Sequence, residues 1–344
     1  RKMAAKAAES GVIFRPHFKT HQSAEIGEWF RAEGVAAITV SSVSMARYFA
    51  AHGWKDITVA FPVNLLEIDE INQLAAKIKL NLLIESVEAA DFLSSELKTS
   101  CGYFIKIDTG YHRTGIAVTN IALINAVMKN ADSKLLSFKG FLTHSGNAYH
   151  AKDQDELKRI QKFTTENLLR LKKHFKTQFP DLLISVGDTP SCSQLPIPDG
   201  INEIRPGNFV FFDVMQFALG SCRIEDIAVA LVCPVVAMHP SRQEAVIYGG
   251  AIHLSKEHTF LDPDPQPIYG LAVAWNNTTW EPDRLLGKVR SLSQEHGIIS
   301  LTQEGCNLKP GDLVAILPVH SCLTANLMRS YVTENGVVIS TMNQ

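Results

Sequence analysis

Three things are missing from this sequence, and each closes off a class of function. No apolar run reaches the length of a membrane-spanning helix: the longest, residues 227–238, is too short and is broken by Pro234. No long basic run is present and the net charge is −2, so nucleic acid and anionic membrane are not expected partners. The six cysteines (Cys101, Cys192, Cys222, Cys233, Cys306 and Cys322) are scattered and form no CxxC pair. In a chain of 344 residues that pattern points to reduced thiols and a cytoplasmic location rather than a disulfide framework. The sequence opens at Arg1, which leaves a preceding segment open, and no signal peptide is expected. Internal repeats and low-complexity segments are lacking too.

What is present is a composition of 46% hydrophobic and 20% charged residues, enough for a sizeable core. Short β-branched runs at 12–14, 35–40, 56–61, 79–84, 103–108, 137–143, 182–186 and 202–204 alternate with helical patterns, among them 24–33, 43–52, 66–77, 87–97, 121–129 and 154–176. Such alternation implies parallel strands joined by crossover helices, and a count of eight favours a closed (β/α)8 TIM-type barrel of class α/β. After about residue 225 the texture changes to strand-like runs with Gly, Pro and Asn turns and no long helix. The expected organisation is a barrel over 11–225 and a C-terminal all-β domain over 226–344, with residues 1–10 packing against the latter.

Barrel active sites form where strands end. Lys19 follows the first run, in Arg15-Pro16-His17-Phe18-Lys19-Thr20-His21. An amine there, with Arg15 as a neighbouring cation, is expected to titrate low and serve as a nucleophile towards carbonyls. A lysine beside two histidines is also what a solvated turn looks like. Polar, Gly-punctuated segments follow the later runs: Thr109 to Gly115, His144 to Tyr149, Gly187 to Ser193, and Arg205-Pro206-Gly207-Asn208.

Taken together these motifs resemble the fold-type III pyridoxal-phosphate enzymes, the alanine racemase-like barrels. The residues that carry the resemblance are 15–21, Lys106-Ile107-Asp108-Thr109-Gly110 with Arg113 and Gly115, and 205–208. Thr189 to Ser193, Pro196-Ile197-Pro198, Ser293 to Gly297 and His320-Ser321-Cys322 narrow it to the branch containing D-threonine aldolase and eukaryotic-type D-serine dehydratase. The resemblance implies that Lys19 forms the internal aldimine with pyridoxal 5'-phosphate. It implies a phosphate cradle from Thr189 and the backbone N–H groups of Gly207 and Asn208, since Gly permits the close approach a phosphate needs. Arg113 is implied to contact the cofactor's phenolic oxygen, His144 its ring face, and Tyr149 the neighbourhood of the pyridine. Arg205 stands where the racemases place an arginine against the ring nitrogen and the dehydratases a histidine, which leaves that partner open between Arg205 and Tyr149.

His320 and Cys322 follow a strand-like run and Pro318. Two residues apart in an extended segment, they are expected to share a face and hold a divalent metal, Zn²⁺ or else Mn²⁺, in an open site. Bound there, a metal would activate the β-hydroxyl of a D-amino acid. Deprotonating that hydroxyl drives a retro-aldol cleavage to glycine and an aldehyde; polarising it drives β-elimination to a keto acid and ammonia. The expected function is thus a pyridoxal-phosphate- and metal-dependent lyase of D-β-hydroxy amino acids, acting as a homodimer. The remaining five cysteines are expected to be buried hydrophobes. The alternatives are a racemase, for which Tyr248 or Tyr331 would have to supply the second acid/base, and a non-catalytic pyridoxal-phosphate carrier, which would lack the C-terminal domain.

Overall fold

The computed structural model describes residues 1–342. By packing, the chain separates into two units: Arg1–Lys19 with Ala24–Gly207, and Thr20–Ser23 with the chain from Asn208 onward. The expected boundary near 225 therefore falls inside the second unit, because the segment between β9 and the first β-domain strand packs with the β domain. The N-terminal helix α1 (Lys2–Glu9) belongs to the first unit rather than the second. Lys6 Nζ fastens it there by donating to the carbonyls of Cys192 and Leu195, both at 2.6 Å.

In the first unit, strands β1 (Ile13–Phe14), β2 (Ala37–Val40), β3 (Asp56–Pro62), β4 (Lys79–Ile84) and β5 (Cys101–Asp108) are followed by the short β6 (Ile116–Ala117), β7 (Leu136–Leu142), β8 (Leu183–Val186) and β9 (Glu203–Ile204). All pair in parallel in the order β1-β9-β8-β7-β5-β4-β3-β2, with β6 a side branch on β5. Phe18 N donates to Thr39 O, and Thr39 N to Pro16 O, each at 2.9 Å. These bonds bring the chain after β1 onto β2 and leave an eight-stranded parallel barrel nearly closed. β4 and β5 are buried along almost their whole length, as parallel strands covered on both faces must be.

The crossover helices are α2 (Ala24–Ala32), α3 (Val43–Ala51), α4 (Ile68–Ala75), α5 (Val87–Glu96), α6 (Ile121–Asn130), α7 (Gln154–Phe175) and α8 (Thr189–Gln194). Five of them start where the sequence offers a capping oxygen. Ser42, Ser86, Asn120, Asp153 and Asp188 each accept the N–H three residues on, at 2.6–3.1 Å, satisfying an amide that the helix cannot.

Arg15 does not serve as the cation beside Lys19. Its guanidinium is buried and donates to Glu203 Oε2 at 2.6 Å and Asp56 Oδ1 at 2.5 Å, with Lys79 Nζ completing Asp56 at 2.7 Å. This network sits at the strand starts, where two carboxylates absorb its charge.

The second unit centres on a closed antiparallel barrel. Its elements run α9 (Val214–Ala218), β10 (Leu231–His239), β11 (Glu244–Tyr248), α10 (Ala251–Leu254), the hairpin β12 (Thr259–Leu261) and β13 (Asp264–Ile268), β14 (Gly270–Trp275), β15 (Trp280–Leu292), β16 (His296–Leu301), β17 (Leu313–Pro318), α11 (Ser321–Met328) and the hairpin β18 (Ser330–Val332) and β19 (Val338–Ser340). The barrel order is β10-β11-β16-β15-β14-β17, around a core that includes Val235, Ile247, Val289, Ile299 and Ile316. Of the five cysteines expected inside, Cys101, Cys192 and Cys233 are buried, Cys222 is half-buried and Cys306 is exposed, the last on a surface turn at Gly305–Asn307.

Phe18 is 0% exposed and packs against Phe30, Phe49 and Trp54 with ring centroids 5.0, 5.0 and 5.1 Å away. Phe18→Ala should cost about 3–5 kcal/mol in urea unfolding, and a parental midpoint would show that the socket does not hold this turn.

Candidate active site

The first unit gathers most of the expected residues at its strand ends. Lys19 is exposed, one residue after the buried Phe18, and its N–H donates to His17 Nδ1 at 3.4 Å. His17 N in turn donates to Pro206 O at 2.9 Å, so the lysine turn and the Arg205–Gly207 segment are stitched together by backbone. Arg205 is buried; its Nε donates to Ser185 Oγ at 2.7 Å and one Nη to Thr143 O. Burial pushes its guanidinium down to about 10, which leaves it charged near neutrality.

After β5, the Asp108 carboxylate organises the loop that carries Arg113. Its Oδ1 accepts the N–H groups of Gly110, Tyr111 and His112 at 2.9–3.1 Å. The loop can return only because residue 115 is glycine: φ is +112°, and a Cβ there would lie 2.7 Å from Asp108 N. Arg113 stacks over the Tyr111 ring at 4.9 Å.

His144 follows β7. Its Nδ1 donates to Gly187 O at 2.5 Å, which leaves Nε2 without a proton in the neutral ring. Burial, then the charge of Lys106, holds this imidazole at about 3, with Lys19 and Arg205 contributing. Tyr149 Oη accepts the N–H of Thr189 at 3.2 Å. That places its hydroxyl at the start of α8, beside the expected phosphate residue Thr189.

Lys106 and Glu85 escaped the sequence reading. Lys106 lies within the Lys-Ile-Asp-Thr-Gly motif, but as a strand residue it gave no sign of facing inward. It is buried, and burial with the charges of Arg205 and Arg113 pushes its ammonium down to about 7. Glu85, at the end of β4, is raised by burial against the charge of Lys106.

Three observations test whether the residues suit the implied cofactor. Thr189 Oγ1 is buried with no hydrogen-bond partner, which is costly unless something else completes it. Lys19, Lys106, Arg113 and Arg205 supply an excess of positive charge at one set of strand ends. His144 is held as a neutral aromatic face among them. Hydroxyl donors, surplus cations and a ring face are what an anionic, planar aldehyde requires, so the fit is good.

The second unit holds the other expected residues. His320 and Cys322 do not lie on an extended segment. β17 ends at Pro318, His320 is the N-cap residue of α11 and Cys322 is in its first turn, so the start of a helix brings the two side chains into hydrogen-bond contact. Burial opposes charge on both, yet their mutual bond outweighs it: the imidazole is raised and the thiol lowered from their ordinary values. Cys322 Sγ donates to Thr20 Oγ1 at 3.5 Å, and Asn208 Nδ2 donates to Cys322 Sγ at 3.6 Å. Among the described residues no cluster of three or more His, Cys, Asp or Glu could hold a metal, so the pair offers one N and one S donor, a set that suits Zn²⁺ with open positions. Tyr331, a candidate for racemase chemistry, spends its hydroxyl on His21 O at 2.7 Å, and burial raises it further out of range. Tyr248 is 52% exposed.

An imidazole held near 3 in the fold takes no proton where the unfolded chain, with an ordinary value of about 6.5, does. Stability linked to His144 is therefore complete above about pH 6.5 and falls as pH drops towards 3; buried His21, also near 3, acts in the same sense. His144→Gln should lose less thermal stability than the parent between about pH 7.5 and about pH 5, and equal losses in the two melts would contradict the assignment.

Comparison with known proteins agrees with this geometry. The alanine racemase N-terminal domain matches residues 1–214 and a serine dehydratase domain matches residues 228–333. D-serine dehydratase of Dictyostelium discoideum is 31% identical, over 97% of this chain and 89% of its own length. D-threo-3-hydroxyaspartate dehydratase of Delftia sp. is 26% identical over 96% of this chain and 89% of its own. A solved structure of that enzyme superposes with a TM-score of 0.89 at 25% identity, covering 99% and 93% of the two chains. Its histidine-to-alanine and cysteine-to-alanine variants, changed two positions apart, have also been solved, and the cysteine variant is described as the metal-free form. D-threonine aldolase of Arthrobacter sp. matches at 27% identity over 45% of this chain and 42% of its own. The chain belongs to the alanine racemase-like family of fold-type III pyridoxal-phosphate enzymes, in the branch that carries a serine dehydratase domain.

Proposed function

We propose that this chain, a pyridoxal-phosphate-dependent lyase of D-β-hydroxy amino acids, is a dehydratase of the D-serine type. The observation that carries the reading is the His320–Cys322 pair. It repeats the two-residue spacing of the histidine and cysteine altered in the dehydratase variants, the second of which is metal-free. Relatives that match over nearly the whole chain are dehydratases, whereas the aldolase matches under half of it.

In this reading Lys19 Nζ would hold the cofactor through its aldehyde, and the same amine would serve as the base for the substrate's Cα proton. Thr189 and the backbone N–H groups of Gly207 and Asn208 hold the phosphate, with Tyr149 and Ser191 at the same end. Arg113 faces the phenolic oxygen and His144 the ring. The reading takes Arg205 as the partner of the ring nitrogen, supported by the contact of Tyr149 with Thr189. Bound, pyridoxal phosphate supplies an electron sink for the substrate's Cα, and a divalent cation, Zn²⁺ or Mn²⁺, supplies Lewis acidity at the β-hydroxyl.

The remaining steps belong to the residues. Arg205 is fixed by Ser185 and Thr143 and keeps its proton, so a ring nitrogen held against it would stay unprotonated and the sink would be a weak one. Such a chemistry needs help at the departing hydroxyl, and the reading gives that role to a cation that His320 and Cys322 would hold. Loss of that hydroxyl gives elimination, with the Cα proton passing to Lys19. We extend the reading to a homodimer in the cytoplasm. In support are the family's organisation, the six unpaired cysteines and the absence, among the described residues, of a helix long and apolar enough to cross a membrane.

The test is a product assay. D-serine should give pyruvate and ammonia; glycine and acetaldehyde from D-threonine as the dominant activity would make the chain an aldolase, and the mirror-image amino acid with no keto acid would make it a racemase. Lys19→Ala should abolish the absorbance of lysine-bound pyridoxal phosphate near the visible edge. Chelation should remove turnover and Zn²⁺ or Mn²⁺ restore it, while a chelator-insensitive enzyme would remove the metal from the scheme.

A further inference from the structure

Resting on the reading of His320 and Cys322 as a metal pair, we propose that Asn208 is a positioning residue for the Cys322 sulfur, itself oriented by the buried carboxylate of Asp213. Asn208 is 6% exposed, and its side chain is a different group from the backbone N–H assigned to the phosphate. Nδ2 donates to Asp213 Oδ2 at 2.6 Å, to Ser321 Oγ at 3.4 Å and to Cys322 Sγ at 3.6 Å. One of its two hydrogens is thus committed to the carboxylate. The other is shared between the serine hydroxyl and the sulfur.

Asp213 is tied down on every side. Oδ2 also accepts the backbone N–H of Ser321 at 3.0 Å and its hydroxyl at 3.3 Å, while Oδ1 caps α9 through Gln216 N at 2.9 Å. The same carboxylate therefore holds the starts of two helices and the orientation of one carboxamide. Turning that carboxamide over would set Asn208 Oδ1 against Asp213 Oδ2, two acceptors at hydrogen-bond distance with nothing between them. The N–H must face the sulfur. Such a bond spreads the thiolate's charge and fixes which lone pair is presented to a cation. Asn208 Oδ1 is buried without a partner, which leaves an acceptor in the cluster for a hydroxyl or water that a bound cation would bring.

The experiment is a Co²⁺ titration of the pyridoxal-phosphate-loaded protein, following the thiolate-to-cobalt charge-transfer absorbance, alongside Zn²⁺ affinity by chelator competition and thermal stability. Asn208→Ala and Asp213→Asn should each weaken metal binding by about 10–100-fold and alter the charge-transfer band, with the cofactor's own absorbance retained. The reciprocal double variant, Asn208→Asp with Asp213→Asn, separates positioning from mere support. It restores one donor facing one acceptor between the two positions, and asparagine remains a good helix cap. Thermal stability should recover, but metal affinity should not, because an oxygen now faces the sulfur. Parental affinity and band shape in Asn208→Ala, or recovery of both stability and affinity in the double variant, would overturn the proposal. If Asn208→Ala does not fold, Asp213→Asn and the double variant decide alone. A parent protein that binds Co²⁺ without any thiolate band ends the metal reading itself, whereas a parent with the band and variants that match it ends only the role of Asn208.

Discussion

The burial of Phe18 is the interaction on which the rest of the candidate site depends. Three aromatic rings fix one side chain completely, and the backbone on either side of it is hydrogen-bonded to β2 and to the segment after β9. The next residue is the exposed Lys19, so its side chain starts from a backbone held on the N-terminal side. The residue after that, Thr20, already packs with the second unit and accepts from Cys322. Over three consecutive residues the chain passes from a core anchor through the candidate amine to a residue of the second unit. Few substitutions are compatible with all three demands, because a nucleophile on a rigid element is worth more than one on a free loop.

Charge is arranged along the first unit with similar economy. At the strand starts, Arg15 and Lys79 are matched by Asp56 and Glu203, and a buried network of this kind is neutral in sum. At the strand ends, Lys19, Lys106, Arg113 and Arg205 outnumber Glu85, Asp108 and Asp188. Burial depresses the ammonium of Lys106, and the like charges of Arg205 and Arg113 lower it further. An anionic occupant removes the penalty. The excess is therefore a structural statement about what the barrel mouth binds, independent of any motif.

Much of this was legible in the sequence. The eight strands could be counted because parallel strands covered on both faces are short apolar runs, and the helices between them begin at Ser, Asn and Asp caps. The polar segment after each strand located the mouth. What stayed hidden was direction. Lys106 sits in an apolar strand where alternate residues face opposite sides, and nothing local says which side is the interior. Tyr149 could be placed near the cofactor but not at one end of it, since a short 3₁₀ turn sets where its hydroxyl points. Asp213 looks like an ordinary helix cap in Phe-Phe-Asp-Val-Met, and it is one; its second use appears only when Ser321, more than a hundred residues away, is folded beside it.

The His-Ser-Cys segment shows why such errors of local conformation need not damage a chemical assignment. An extended segment and a helix start both bring positions i and i+2 near one another, but for different reasons, and only the second gives the sulfur the amide dipoles of a helix N-terminus. Pro318 forces the change by ending β17, a strand buried over most of its length and paired on both sides, with β10 and with β14. A closed antiparallel barrel has no free edge along which that strand could slip. The donors are thus carried at the start of a helix directly after a strand paired on both sides. A metal held by this pair alone would depend on such support, because among the described residues no third His, Cys, Asp or Glu ligand joins them to correct a misplaced one.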